Sequence, residues 1–157
     1  MNEADRSPRP LRIGVLLTLD RDAGELFADA RALEAAGADS LWVEGDGAEP
    51  YVLLAACAAV TWRVGLVASG GTDAAAMATC DRLSRGRLRD AEALARAGEH
   101  WIRESLPADR AAWRKARDAA VASGATGLVV PNDARLMDLL RNPDQEDDRA
   151  DLNIAVG

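Results

Sequence analysis

The sequence predicts an α/β fold built from repeated strand-helix units, and three observations carry that prediction. First, "LRIGVLL" (11–17), "SLWVE" (40–44), "RVGLVAS" (63–69) and "TGLVVP" (126–131) are short apolar runs rich in branched residues. Strands with one wet face alternate in polarity, so runs this uniform belong to buried parallel strands. Second, segments with helical apolar spacing lie between them. Third, "AAGADSLWV" (35–43) and "ASGATGLVV" (122–130) share the pattern A-small-G-A-x-x-L-x-V, a helix stop followed at once by a strand. Repeated units of this kind assemble as a (β/α) barrel or as an open doubly wound sheet.

Taken in order, residues 1–10 form a polar lead and residues 11–157 a single domain. After the first strand, Asp22 and Glu25 have capping-box spacing, Leu26, Ala30 and Leu33 form an apolar stripe, and Gly37 ends the helix. Strand two follows. Pro50 then suits the first turn of a helix, and "YVLLAACAAVT" is so apolar that burial on more than one side is expected. Strand three leads to a helix from about Asp73 to Ser84, with Ala76, Cys80 and Leu83 on one face, Asp81 and Arg85 spaced to pair, and Gly86 as its stop.

Beyond Gly86 the rhythm changes. Leu88, Ala91, Leu94 and Ala95 have helical spacing where a strand is due, and "EHWIRES" (99–105) reads as a short, imperfect strand. "PADRAAWRKARDAAVASG" (107–124) predicts a helix with Trp113, Ala116 and Ala120 inward and Gly124 as its stop. After "TGLVVP", Asn132 is placed to cap a last helix through Leu140, "NP" closes it, and "DLNIAV" (151–156) reads as a final strand.

Composition narrows the function classes. Of 157 residues 48% are hydrophobic, enough for one core, and the formal charge of -7 spreads 19 basic residues among 26 acidic ones. Nucleic acid and anionic membranes both require clustered Lys and Arg, so neither is an expected partner. No run approaches the roughly 18 apolar residues of a membrane span, and "MNEADRSPRP" is too polar for a secretory signal, which points to the cytoplasm. Cys57 and Cys80 lack CxxC or Cys/His spacing and are expected as reduced core thiols. Trp42 and Trp113 are expected in the core or an interface.

In sequence order, "IGVLL", "ARALEAAGADSLWVEGD", "EPYVLLAACAAVTWRVGLVAS" and "CDRLSRGRL" resemble the N-terminal half of the luciferase-like, flavin- or deazaflavin-dependent monooxygenase family. The last segment looks like that family's LDxLSxGR. The resemblance spans residues 11 to 88. It implies a TIM-type barrel with FMN or a deazaflavin coenzyme at the carboxyl ends of the strands, and an oxidoreductase acting on a small organic substrate. Three features depart from the family. "EGDGAEP" stands where a histidine segment is usual, the link from "VAS" to "CDRLS" is short, and "RDAEALARAG" replaces a glycine-bearing fourth strand.

A complete barrel takes about 250 residues. The expected fold is therefore an incomplete or reduced TIM-type (β/α) barrel of five or six mainly parallel strands, with an edge that a homodimer would cover. The candidate cofactor residues stand at strand ends. Glu44 and Asp46 could meet a cofactor ring or accept a proton, although Gly45 and Gly47 equally make them an acidic turn. The amides of Ser69, Gly70 and Gly71 in "SGGTD" could receive a phosphate, while the absence of GxGxxG and of an adjacent Lys favours a plain turn. Asn132 is a ligand candidate or a helix cap. No residue is assigned a catalytic role. His100 has no triad or metal spacing, and "DQEDDRAD" (144–151) lacks the Gly and terminal Glu of a calcium loop. The alternative function is a non-catalytic luciferase-like scaffold for flavin binding or oligomerisation.

Overall fold

The computed structural model describes residues 10–18, 20 and 22–143. They form β1 (Arg12–Leu16), α1 (Ala23–Ala36), β2 (Ser40–Glu44), α2 (Glu49–Val60), β3 (Gly65–Ser69), α3 (Ala74–Leu83), β4 (Leu88–Asp90), α4 (Ala91–Arg96), β5 (Trp101–Arg103), α5 (Arg110–Ala122), β6 (Gly127–Pro131) and α6 (Leu136–Arg141). The strands make one parallel sheet in the order β4-β3-β2-β1-β6-β5, curled into an incomplete TIM-type barrel. In a closed (β/α) barrel the first and last strands are neighbours. Here β6 lies beside β1, so the barrel's opening falls inside the chain, between β4 and β5. The expected strand "DLNIAV" and the acidic run 144–151 lie outside the described residues.

Strand order dictates where the helices go. A right-handed crossover puts its helix on one face for a step in one direction and on the opposite face for the reverse step. The steps from β1 to β4, and from β5 to β6, run the same way, and α1, α2, α3, α5 and α6 all contribute to one core with Val15, Leu41, Val43, Leu66, Leu128 and Val130 on the convex face. The step from β4 to β5 runs backward across the sheet. Accordingly α4 lies on the concave face, where its Leu94 packs with Trp42, Val67 and Val129.

Local chemistry supports each unit. Asp22, Asp73, Asp90 and Asp109 cap α1, α3, α4 and α5, each accepting from an amide of the first turn. The two echoed joints match in detail. Gly37 and Gly124 sit at φ 98 and 75, and the amides of Ala38 and Ala125 close the same bond to Leu33 and Ala120, each at 3.0 Å. α2 is flanked by α1 and α3 and buries Tyr51, Leu54 and Cys57, with Val52 on its open side.

Three expectations need correction. Leu88–Asp90 is a strand paired with β3, not the start of a helix. Three residues are too few to show a period, and the spacing of Leu88, Ala91 and Leu94 bridges a strand and a helix that share a buried junction. Leu83 is exposed, because α3 stands beside the opening and no helix among the described residues lies on its outer flank. Arg85 lies over Trp62, 4.6 Å from the ring centroid.

The segment "CDRLSRGRL" is a structural knot at the amino end of the sheet. Arg85 and Gly86 turn the chain at positive φ, and the fully buried Ser84 hydroxyl joins Asp81 O to the Leu88 amide. Arg87 then donates five hydrogen bonds of 2.9 to 3.1 Å, to Ser84 O, Ala58 O, Val64 O and both Thr61 oxygens. It thereby closes the end of α2, the approach to β3 and the end of α3 with one side chain. Beside it Glu34 accepts from the amides of Trp62, Arg63 and Val64. Burial alone would raise the Glu34 pKa, but these donors and the nearby Arg63 charge outweigh it and hold the carboxyl below its ordinary value.

Candidate functional site

The concave face and its carboxyl rim are the parts of a (β/α) fold that hold ligands. Alternation turns Gly14, Trp42, Val67, Trp101, Gly127 and Val129 inward. Two of these are glycines because two tryptophans lie on them: a Cβ on Gly14 would collide with the Trp42 indole, and one on Gly127 with Trp101. The two indoles meet at 5.2 Å between centroids with an interplanar angle of 59°. Trp42 belongs to β2 and Trp101 to β5, three strand spacings apart, about 14 Å on a flat sheet. Their contact therefore reports the curl directly. Arg12 covers the Trp101 ring at 4.9 Å and pairs with Glu99 at 2.6 Å, while Trp101 Nε1 donates to the same carboxylate at 2.8 Å.

The rim brings five of the six candidate residues together. Glu44 and Ser69 are register partners on β2 and β3, and Gly45 N donates to Ser69 O at 3.1 Å. Gly70, at φ 85, is required there, since a Cβ would stand 2.7 Å from Gly45 O. Gly71 lies under the Tyr51 ring and accepts its hydroxyl at 2.9 Å. Asp46 is exposed in the adjoining turn. Asn132 stands apart from this group: its side chain donates to Asp29 of α1 at 2.7 Å and its amide to Leu16 O at 3.0 Å. It does not cap α6, whose N-cap is Arg135; the stretch 132–135 forms a turn in which Asp133 accepts from the Arg135 amide.

Much of the rim's hydrogen-bonding capacity is spent on the rim itself. Glu44 is ion-paired with Arg103 across the mouth. The amides of Thr72 and Asp73, which would contribute to a phosphate cradle, donate to Gly47 O at 3.1 and 3.3 Å, and Ala76 N donates to the Asp73 carboxylate. His100 is exposed, and its backbone is tied to Thr126. Cys57 and Cys80 are free buried thiols whose pKa values burial pushes up to about 11, so neither is a nucleophile at neutral pH. Among the described residues no group of three His, Cys, Asp or Glu could hold a metal ion, and no helix is long and apolar enough to cross a membrane.

Sequence reasoning missed Arg103, Arg12 and the Trp42/Trp101 pair as a unit. Only the strand order places β2 and β5 across one concavity, and no local pattern announces it. Compared with protein families, with curated proteins and with solved structures, the chain finds no match.

Proposed function

We propose that the chain is a luciferase-like barrel remnant that works as a non-catalytic assembly module and is completed by a second copy of itself. The observation that carries this reading is the state of the rim, where the side chains of Glu44 and Asn132, the Gly71 carbonyl and the amides of Thr72 and Asp73 are held by partners within the chain. An enzyme of the flavin-dependent class needs such groups directed at its cofactor. The opening between β4 and β5 supplies the reason to assemble. Each edge strand is three residues long, and because α4 is turned inward the convex layer has, among the described residues, no helix that would bridge them. Val52, Met77, Leu83 and Val121 are exposed on helices of that layer.

Light scattering on the purified chain is expected to give twice the monomer mass. A monomeric mass at high protein concentration would remove the assembly reading. The second reading, a shortened flavin- or deazaflavin-dependent oxidoreductase or monooxygenase, is favoured by one observation: Glu44, Asp46, Ser69, Gly70 and Gly71 do gather at the carboxyl ends of adjacent strands.

A further inference from the structure

We propose that the amino end of the concave face is a binding site for a small organic carboxylate. A cleft of about 280 Å³ opens there between the first residues of β1, β2 and β3, Leu94 of α4 and Trp101 of β5. In a chain of net charge -7, four arginines line it against two carboxylates. Both carboxylates are already engaged: Asp39 accepts the Ile13 amide at 2.7 Å, and Glu99 accepts from Arg12 and Trp101. Arg87 is consumed by four carbonyl oxygens and the Thr61 hydroxyl, yet its charge remains. Arg89 donates one Nη to Gly86 O and Leu88 O, at 2.9 and 2.8 Å, and is ion-paired with no carboxylate among the described residues. Its Nε and second Nη are thus left to donate.

The floor of the cleft adds a second donor. Ser40 is 5% exposed, and its Oγ accepts the Trp42 indole N–H at 2.8 Å. A hydroxyl whose lone pair is taken this way still has its own proton to give, and Ser40 faces the cleft. Guanidinium and hydroxyl together suit a planar oxyanion, which arginine binds in bidentate fashion. Val67 and Leu94 form an apolar wall, which selects an organic acid over an inorganic anion. The volume of about 280 Å³ falls just below the usual range of ligand sites, which begins at about 300 Å³, so the acid is a single-ring or short-chain one. This inference is independent of whether the rim ever holds a flavin.

Calorimetric titration of the full chain with benzoate, butyrate, benzamide and inorganic phosphate tests it. Saturable binding of benzoate or butyrate is expected, with benzamide and phosphate at least tenfold weaker, the scale of a charged hydrogen bond. Arg89→Gln should weaken the carboxylate at least tenfold, Ser40→Ala should weaken it less, and Arg135→Gln, which removes the same charge elsewhere, should leave it unchanged. An unfolding midpoint for Arg89→Gln equal to that of the parent chain separates lost binding from lost folding; if it falls, Arg89→Lys, which keeps the charge but loses the planar fork, should still bind more weakly than the parent. No saturation by either carboxylate at about 10 mM, equal affinity in Arg89→Gln and Arg135→Gln, or phosphate binding as tight as the carboxylates would overturn the proposal.

Discussion

At the amino end of the sheet Glu34 gathers the amides of three consecutive residues and Arg87 ties four. Along the carboxyl rim Glu44 and Asn132 each meet one partner through the side chain. The contrast separates two kinds of polar residue. Those at the amino end each gather several backbone groups, the Arg87 bonds and the Glu34 bond to Val64 being partly buried, and each partly buried group left unpaired costs free energy. At the rim each side chain meets a single partner, and the half-exposed Glu44–Arg103 ion pair contributes little. In (β/α) folds generally, the amino face governs stability and the carboxyl face carries function; this chain retains the first and has its rim turned upon itself.

The contrast breaks most visibly at Arg87. Replacing it by Ala releases five hydrogen bonds and is expected to cost about 3 kcal/mol or more, read as a lower urea midpoint with an unchanged slope. A rim-sized loss would show that the knot is redundant. Gly127→Ala comes next, since the added methyl meets Trp101 and stands 2.7 Å from Arg12 O. An overpacked position of this kind costs about 1–3 kcal/mol, and the near-ultraviolet dichroism of the indoles should change with it. Wild-type dichroism in that variant would contradict the placement of Trp101 against the sheet.

Glu34→Gln should cost about 1–2 kcal/mol at neutral pH, because a neutral amide accepts these donors more weakly than a carboxylate. The folded-state pKa of Glu34 is lowered, so its contribution is fully present above the unfolded-state pKa and is lost as pH falls through the folded value. The stability gap between parent and variant is therefore expected to close on acidification below the ordinary carboxyl range; a gap independent of pH would contradict it. The smallest effect belongs to Glu44→Gln, which should stay within about 1 kcal/mol of the parent chain. A loss as large as that of Arg87→Ala would erase the distinction between the two ends.

How much of this was legible in the sequence depends on the range of the interaction. The helix-stop-strand joints at Gly37 and Gly124 were plain because every residue involved lies within one turn and one strand. The α/β class followed from those joints and the apolar runs, whereas the reduced barrel followed from the luciferase-like resemblance and the chain length. β4 escaped because three residues cannot display a period, and the inward position of α4 escaped because it follows from strand order. Asn132 read as a cap by residue type, whereas its amide is taken by Asp29, 103 residues away. The roles of Glu34 and Arg87 rest on contacts 23 to 30 residues distant, and those of Trp42 and Trp101 on a pairing across the concavity.

The central proposal, a rim that does not hold a flavin, is tested most directly by titrating the native protein with FMN and with a deazaflavin while following cofactor fluorescence. The account predicts that neither is quenched and that neither is retained through gel filtration. Stoichiometric quenching by either one, abolished by Glu44→Gln, would contradict it and restore the rim as a working cofactor site.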